Sequence, residues 1–338
     1  MSAAFVRDTS GDRKAEYHAA RTAAAVFDLG GWMQLEVSGS DRAKFLHNFC
    51  TNDVRGLAPG HGCEAFVTNL QGKVLAHLFI YARHDTLELM AVPGCAERVI
   101  AHLSRFQIRE DVAFHDRTAE QGLFLVAGPQ AAIALTNAGE SVQELGRGSL
   151  RCAEAAAADG TLYRNDFLGL PGFLIASPTA KSSDWSARLA DAGAVEAGVA
   201  AFEALRIEAG FPLYGVDASD ANLAQELSRT AQAISFSKGC YLGQEPIARI
   251  DAMGHVNQQL RGIRFREVPS PAAGAEIFTT DAEPRQIGHI TSAAISPETG
   301  LPVALGYLKR HFDTPGMAVH VAAENRRIPG ELFWPEHS

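Results

Sequence analysis

In this chain of 338 residues, the pattern of cysteines argues against two kinds of structural cross-link. The five cysteines are odd in number and widely spaced, and no Cys-x-x-Cys pair occurs. That pattern argues against a disulfide framework and against a structural zinc site built from one segment. His47 and Cys50 could share a helix face, but two further ligands are lacking nearby, so both are expected in the core. We therefore expect no tightly bound metal.

Excess positive charge and long apolar runs are also lacking. The chain has 30 Lys and Arg against 39 Asp and Glu, a formal net charge of −9 at pH 7. General binding to nucleic acid or to an anionic membrane is not expected, although a local basic pocket for a small anion stays open. No apolar run approaches a membrane span, and residues 1–17 lack the apolar segment of a secretory signal. These absences predict a cytoplasmic protein.

The motifs of common nucleotide-binding and hydrolytic enzymes are missing as well. There is no G-x-x-x-x-G-K-[ST] loop and no strand-linked G-x-G-x-x-G, so neither a P-loop nor a dinucleotide fingerprint is present. The serine-nucleophile motif G-x-S-x-G and the zinc-protease motif H-E-x-x-H are also absent. These absences do not exclude active or binding sites that lack a fixed sequence motif.

What the chain does have is enough apolar sequence for a sizeable core. Hydrophobic residues make up 46% and charged residues 20%, and the length predicts two or three domains. Residues 63–70 and 73–82 are predicted strands of a hairpin that turns at Gln71 and Gly72. A short apolar helix is predicted around residues 21–27. Because hairpins dominate the alternation of strands and helices, the pattern favours an α+β fold over a doubly wound parallel sheet.

The C-terminal part has a different pattern. Prolines and a glycine at residues 267–274 indicate a domain boundary. Beyond that boundary, short strand patterns follow one another with turn signals between them, which is typical of a small antiparallel barrel or sandwich. The predicted strands are residues 276–280, 286–295, 303–308, 318–322 and 327–333.

The densest group of chemically reactive side chains lies at residues 238–245, with the sequence KGCYLGQE. Its two glycines allow the backbone to approach a ligand or to adopt positive φ. A lysine ammonium beside a thiol favours the thiolate, so Cys240 could be a reactive nucleophile if it meets Lys238. The alternative is a glycine-rich turn that enters a helix at Gln244, with Cys240 packed as a small apolar side chain. From the residues alone, this alternative is slightly favoured.

The same segment carries a family resemblance. SFSKGCYLGQEPIAR resembles the K-G-C-[FY]-x-G-Q-E signature of the YgfZ family, folate-binding proteins linked to iron–sulfur cluster maintenance. More widely, the chain resembles the superfamily of the glycine-cleavage T-protein. The matching stretches are residues 27–60, 69–81 and 205–217, and the resemblance covers nearly the whole chain.

This resemblance implies a fold and a cofactor. We expect an α+β, T-protein-like ring of three domains, with two mixed α+β domains and a C-terminal antiparallel β-barrel. Residues 1–265 would form the folate-binding region, split near residue 118, and a crossing back of the chain near residues 215–250 stays open. Residues 266–338 would form the barrel. Tetrahydrofolate, or a one-carbon derivative of it, is expected in the central channel.

One departure from the T-protein pattern affects the chemistry. T-proteins have paired aspartates after the hairpin glycine, and one of these carboxylates acts near the reacting aminomethyl nitrogen. The matching residues here are Ala76 and His77. Neither supplies an anionic carboxylate, so aminomethyl transfer by the usual mechanism is not expected. For His77, a core or channel-lining position is favoured over a substitute base, and a role in the folate channel stays open.

Other residues match folate contacts or the signature. Glu208 matches the T-protein glutamate that binds the pterin ring, since a carboxylate accepts two N–H bonds from an aminopyrimidinone edge. Lys238 falls close to the arginine that meets the folate glutamate tail. Plainer alternatives are a solvated charge for Glu208, a surface lysine for Lys238 and a turn-forming role for Asn69. For Gln244, Glu245 and Arg249 the alternative is pairing or capping within the helix. The remaining residues expected at the site are Asn69, Tyr241, Gln244, Glu245 and Arg249.

These observations predict a tetrahydrofolate-binding, YgfZ-like protein that supports iron–sulfur cluster assembly or repair, with Cys240 as the reactive thiol. Its expected partners are folate and iron–sulfur proteins or assembly factors. The first alternative is a folate-dependent aminomethyl- or methyltransferase, or a demethylase, related to the T-protein. A second alternative is a folate-binding scaffold or sensor without chemistry.

Overall fold

The computed structural model describes residues 5–9, 11–146, 150–154 and 160–335. The helices are α1 (Arg13–Thr22), α2 (Arg42–His47), α3 (Ala96–Ser104), α4 (Ala131–Asn137), α5 (Ser182–Asp191), α6 (Val199–Glu208), α7 (Thr230–Ala233) and α8 (Gln244–Met253). None of these helices is both long enough and apolar enough to cross a membrane.

The strands belong to two open sheets and one barrel. In chain order they are β1 (Ala25–Asp28), β2 (Met33–Ser38), β3 (Gly62–Thr68), β4 (Val74–Ala82), β5 (Leu87–Ala91), β6 (Ala113–Asp116), β7 (Gln121–Ala127), β8 (Arg151–Glu154), β9 (Thr161–Arg164), β10 (Gly172–Pro178), β11 (Val195–Glu196), β12 (Gln258–Phe265), β13 (Glu276–Phe278), β14 (Gln286–Ile295), β15 (Pro302–Lys309), β16 (Ala318–Ala323) and β17 (Arg326–Phe333).

The N-terminal segment differs from the prediction of a helix around residues 21–27. Helix α1 begins earlier, with the Asp12 side chain accepting a hydrogen bond from the Lys14 N–H, and residues of the predicted helix form β1 instead. Strand β1 pairs with β7 and β11, and its first three residues are buried. An apolar run that is covered on both faces of a sheet does not need helical periodicity. The helix prediction is therefore wrong here.

The first sheet has the strand order β3-β4-β5-β2-β6, with antiparallel neighbours throughout. The predicted hairpin is confirmed, and its strands β3 and β4 are joined by residues 69–73. Gly72 has a φ of +72°, a conformation that favours glycine. A Cβ at Gly72 would lie 3.0 Å from the Pro246 ring, so the glycine also lets the hairpin turn pack on α8.

The second sheet has the order β11-β1-β7-β10-β9-β8 and takes its strands from both sides of the first sheet in the sequence. Strand β1 precedes all strands of the first sheet, and strands β7 to β11 follow them. The chain therefore leaves this domain after residue 28 and returns to it at residue 121. Helices α4 and α5 cover the sheet, with Leu135, Trp185 and Leu189 in a common core.

Six antiparallel strands close the C-terminal barrel in the order β12-β15-β14-β13-β16-β17. The predicted fold class, two mixed domains and an antiparallel barrel, is confirmed. Strand β12 ends at Phe265, so it lies before the predicted division between residues 265 and 266 although it pairs with β15 and β17. That division into domains stays a prediction.

Helix α6 lies between the other parts of the molecule. It packs against α1 on one side and against barrel strands β14 and β15 on the other. The segment that follows α6 includes Phe211, which contacts the first sheet, and Asp217, which contacts the barrel. Residues 205–217 therefore bring the first sheet and the barrel towards one region.

Candidate functional site

Glu208 lies at the C-terminal end of α6 and is partly buried. Its Oε2 accepts a hydrogen bond of 2.6 Å from the hydroxyl of Tyr17 on α1. Burial, together with the neighbouring Glu208 carboxylate, raises the pKa of the Tyr17 phenol far above its ordinary value, so the phenol stays a donor. Oε1 has no hydrogen-bond partner in the described part of the chain. Tyr17 thus orients the carboxylate and leaves one oxygen able to accept from a ligand.

His77 lies on β4, and a carboxylate on the neighbouring strand β3 orients its ring. Its Nε2 is 2.7 Å from Oε1 of Glu64, and both residues are buried. Arg229 lies on the other side of Glu64, with Nε donating to Oε1 over 2.8 Å and Nη2 donating to Oε2. The three side chains form a buried cluster of histidine, carboxylate and guanidinium, which we call the His77 cluster.

Aromatic rings surround the His77 imidazole. The ring centroids of Phe66, Phe211 and Phe79 are 4.8, 5.3 and 5.9 Å from that of His77. Phe79 and Phe211 stack on each other with an interplanar angle of 15°. Since Phe211 lies three residues after Glu208, the end of α6 and the segment that follows it contribute Glu208 and a ring beside His77. The structure shows no hydrogen bond between Glu208 and His77 in its described ranges.

Lys238 is buried, and backbone carbonyl groups surround its ammonium. Nζ donates to the carbonyl oxygens of His47, Cys50 and Asn52 over 2.5, 2.7 and 2.9 Å. An ammonium has three N–H donors, so this geometry leaves none for a folate carboxylate. Burial lowers the pKa of Lys238. Lys238 therefore joins its own segment to the end of α2 through these hydrogen bonds. This position differs from both sequence expectations, an exposed lysine and a contact to folate.

Cys240 is exposed. The Lys238 ammonium, two residues away, is directed into the carbonyl groups, and no contact between the two side chains is present among the described residues. The Tyr241 ring is buried beside Lys238, with Nζ 4.7 Å from its centroid. Burial raises the pKa of Tyr241 to about 12. The packed-thiol alternative for Cys240 is therefore wrong, because its side chain faces solvent.

The signature segment rests on the hairpin turn of the first sheet. Thr68 Oγ1 donates to the carbonyl of Leu242 over 2.9 Å. Gly243 has a φ of +85°, and a Cβ there would lie 2.4 Å from the Asn69 carbonyl oxygen. Asn69 Oδ1 accepts from the N–H groups of Gln71 and Lys73, as expected of a turn former. The second glycine of the signature is thus required for packing.

Gln244 and Glu245 begin α8, and Arg249 lies further along the same helix. Gln244 is partly exposed, and Glu245 and Arg249 are exposed. The expected ion pair between Glu245 and Arg249 is not formed in the described part of the chain. The structure therefore brings the signature residues and Asn69 to one region of the molecule. No hydrogen bond joins them to His77 or Glu208 among the residues that the structure describes.

Asp217 is a buried carboxylate at the junction between α6 and the barrel. Oδ2 accepts from Arg206 Nη1 (2.8 Å) and from the Leu213 N–H (3.0 Å), and Oδ1 accepts from the hydroxyls of Thr291 and Ser292 (2.6 Å each). The last two residues belong to β14, so this carboxylate joins the end of α6 to the barrel.

A cavity of about 290 Å³ lies beside this junction. It is lined by the loop at residues 215–222 and by barrel residues that include His289, Thr291 and Tyr307. None of the site residues predicted from the sequence lines this cavity. The lining is mixed, with Val216 and Ala218 beside polar groups, and several of the polar groups already bond to one another. The Tyr307 hydroxyl, for example, donates to the Asp217 carbonyl over 3.0 Å.

Sequence patterns did not indicate five of the buried or partly buried functional groups. One signal was available for Glu64, because a charge inside the apolar strand GCEAFVT is unusual and predicts a partner. Arg206 and Asp217 lie in the matching stretch LRIEAGFPLYGVD, but nothing in the pattern indicates that they pair. The five groups that the sequence patterns did not indicate are the side chains of Tyr17, Glu64, Arg206, Asp217 and Arg229.

Comparison with known proteins gives consistent matches over both parts of the chain. Residues 2–235 match the family model "GCVT N-terminal domain", and residues 258–335 match "Glycine cleavage T-protein C-terminal barrel domain". An aminomethyltransferase of Saccharopolyspora erythraea is 30% identical over 94% of this chain and 88% of its own length. A putative chloroplastic transferase of Arabidopsis thaliana is 30% identical over 91% of this chain and 70% of its own length.

A solved structure agrees with the fold. The crystal structure of the glycine cleavage system aminomethyltransferase T from Bartonella henselae superposes with a TM-score of 0.86 and covers 98% of this chain and 91% of that chain. The sequence identity of the pair is 24%, so the likeness concerns the fold alone.

Proposed function

Because the chain belongs to the glycine-cleavage T-protein family, we propose that it binds tetrahydrofolate and transfers a one-carbon group of the aminomethyl or methyl class. The matches to aminomethyltransferases extend over nearly the whole chain, and this favours the transferase over a binding module that has kept only one domain. The proposal concerns both the folate and the reaction.

The observation that carries the proposal is the state of Glu208. It lies at the position that the resemblance assigns to the pterin contact, it is held by Tyr17, and its Oε1 has no partner in the described chain. An aminopyrimidinone edge offers two N–H donors that a carboxylate can accept. Glu208 would therefore hold the pterin end of the cofactor, which itself carries the one-carbon unit.

We expect Glu208→Gln to weaken tetrahydrofolate binding about tenfold or more. A hydrogen bond to a charged group contributes about 1.5–3 kcal/mol, and the neutral amide can accept at only one atom. Isothermal titration of the purified protein with tetrahydrofolate measures the change. Glu97→Gln, which alters an exposed carboxylate on α3, is the matched control and should bind as the wild type does. Equal affinities for both variants would contradict the assignment of Glu208.

The YgfZ-like role in iron–sulfur cluster assembly or repair is the second candidate function. Two observations favour it: Cys240 is exposed within the signature, and Ala76 and His77 replace the paired aspartates of T-proteins. In that role folate would still bind, and the thiol would act on a partner that is an iron–sulfur protein or an assembly factor. A single cysteine cannot hold a cluster alone, so the partner would supply further ligands.

If Cys240 has this role, Cys240→Ser should lower iron–sulfur enzyme activity under oxidative stress to the level of cells that lack the protein. The serine removes the nucleophilic thiol and keeps the size of the side chain. The measurement is enzyme activity in complemented deletion cells, with Cys152→Ser as the control. Full complementation by Cys240→Ser would remove this role and leave the transferase.

A further inference from the structure

The cavity between the loop at residues 215–222 and the barrel offers a ligand more acceptors than donors. Its volume of about 290 Å³ is close to the lower end of the range for small-molecule sites, about 300–1,000 Å³. Each loop residue that lines the cavity donates its backbone N–H to an acceptor within residues 213–222. Among the described residues of the cavity wall, the loop backbone therefore has no N–H group left for a ligand.

The hydroxyl groups in the barrel part of the lining are also used as donors. Tyr307 donates to the Asp217 carbonyl over 3.0 Å, and Thr291 donates to the Asp217 carboxylate over 2.6 Å. Since a hydroxyl has one hydrogen, both oxygens keep lone pairs that can accept from a ligand. The side-chain oxygen of Gln258 has no hydrogen-bond partner in the described part of the chain, so it is a third acceptor.

The Glu226 carboxylate lies directly behind this lining and has no cation to balance it. Asn222 and Gln258, which line the cavity, each donate from a side-chain amide to Glu226 Oε2 over 3.1 Å. Its Oε1 has no hydrogen-bond partner, and the carboxylate forms no ion pair within the described ranges. Glu226 is only 7% exposed. A buried carboxylate without a cation favours a positively charged ligand nearby.

The charge at the cavity wall is mainly negative. Burial, together with the Glu226 and Asp217 carboxylates, raises the pKa of the Tyr307 phenol well above its ordinary value, so both charges act at the wall. Arg206 pairs with Asp217, but among the residues that the structure describes no lysine or arginine lines the cavity. The rings of His289 and Tyr307 lie side by side, with centroids 5.7 Å apart, and an aromatic face attracts a cation. The wall therefore favours a cation over an anion.

We propose that this cavity binds a small organic ammonium ion, a protonated primary amine without a carboxylate. The ammonium donates to the hydroxyl and amide oxygens of the barrel lining, and Glu226 balances its charge. The alkyl part contacts Val216 and Ala218. An amino acid fits less well, because its carboxylate finds no lysine or arginine in the lining. None of the residues expected to bind folate lines this cavity, so the inference does not depend on the proposed function.

Thermal unfolding of the purified protein tests the class of ligand, because a compound that binds the folded state raises the melting temperature. The probe is propylammonium chloride at neutral pH, compared with sodium chloride at the same ionic strength. We expect propylammonium to raise the melting temperature and 1-propanol, its neutral counterpart, to leave it unchanged. Tetramethylammonium has the charge without N–H donors, and glycine adds a carboxylate, so both should give smaller rises. Equal effects of propylammonium, 1-propanol and glycine would overturn the inference.

Two variants test whether the amine binds in this cavity. Glu226→Gln removes the unbalanced charge, and we expect it to weaken propylammonium binding about fivefold or more. Its control is Glu298→Gln, which removes an exposed carboxylate from the turn between β14 and β15 and should respond as the wild type does. Ala221 is exposed and lines the cavity, so Ala221→Arg should fold normally, place a guanidinium at the site and abolish the effect of propylammonium.

The outcomes separate this inference from the proposed function. If Glu226→Gln and Ala221→Arg both respond to propylammonium as the wild type does, the amine binds elsewhere and the inference is overturned. It is also overturned if propylammonium does not raise the melting temperature of the wild type, and folate binding is unaffected by that result. Tetrahydrofolate affinity should be the same in Ala221→Arg and in the wild type, because the two sites are separate.

Discussion

Asp217→Ala should lower the free energy of unfolding by about 3–5 kcal/mol, the range expected when one partner of a buried ion pair is removed. The carboxylate is buried together with Arg206, and it also accepts from one backbone N–H and two barrel hydroxyls. After the substitution, Arg206 keeps only Glu203 as an anionic partner, and the hydroxyls of Thr291 and Ser292 lose an acceptor. Urea denaturation followed by tryptophan fluorescence gives the change.

The matched control is three residues away. Asp220 is exposed and lies 3.9 Å from Arg98 in an ion pair between exposed side chains, so Asp220→Ala should change stability by no more than about 0.5 kcal/mol. Asp217→Asn keeps the size of the side chain and one carbonyl oxygen, and we expect a loss between the two. If Asp217→Ala proved as stable as Asp220→Ala, the carboxylate would not hold the barrel to α6.

The elements that the sequence predicted well have local signals. The hairpin of β3 and β4 combines two apolar strand patterns with a glycine in the turn, and the five C-terminal strands predicted from the sequence lie between clear turn residues. Strand β12 lies before the proline-rich stretch taken as the boundary, and its barrel partners follow much later in the chain. Its place in the barrel therefore has no local signal.

The buried polar contacts are the part that sequence patterns could not give. Tyr17 and Glu208 are 191 residues apart, and Arg229 and Glu64 are 165 residues apart. Lys238 illustrates the reason: a lysine is usually exposed, and only the fold brings three carbonyl oxygens of residues 47–52 to its ammonium. Residue identity indicates what a side chain can bond, whereas the partner depends on tertiary structure.

At the candidate site, too, the sequence indicated residues by position, whereas their partners depend on tertiary structure. The resemblance assigned Glu208 and the signature residues by position. Cys240 is exposed, but the Lys238 ammonium that was expected to favour its thiolate is directed into backbone carbonyl groups. The resemblance could not tell that Lys238 is engaged within the protein or that Glu64 orients His77, because both depend on residues outside the matching motifs. Among the predicted residues, Lys238 therefore bonds within the protein, whereas Glu208 keeps one carboxylate oxygen available to a ligand.

Glu64→Gln should also lower the free energy of unfolding by about 3–5 kcal/mol, because it removes the carboxylate that pairs with the buried Arg229 guanidinium. Glu36→Gln is a suitable control on the same sheet. Glu36 pairs with Arg117 over 3.1 Å, but both side chains are partly exposed, and such pairs contribute about 1 kcal/mol or less. Urea denaturation at neutral pH compares the two variants. Equal losses would show that burial does not strengthen the Glu64 pair.

The same pair gives stability a pH dependence with a defined sign. The pKa of Glu64 is lower in the folded protein than its ordinary value of 4.5, so the unfolded chain binds more protons as the medium turns acidic. The contribution of Glu64 is complete above that ordinary value and decreases as the pH falls below it. Glu64→Gln should therefore lose less stability than the wild type on acidification.

The double variant Glu64→Leu with Arg229→Met should recover part of the stability that Glu64→Gln loses at neutral pH, since it removes both charges together. A double variant less stable than Glu64→Gln would show that Arg229 stabilises the fold through contacts other than this carboxylate.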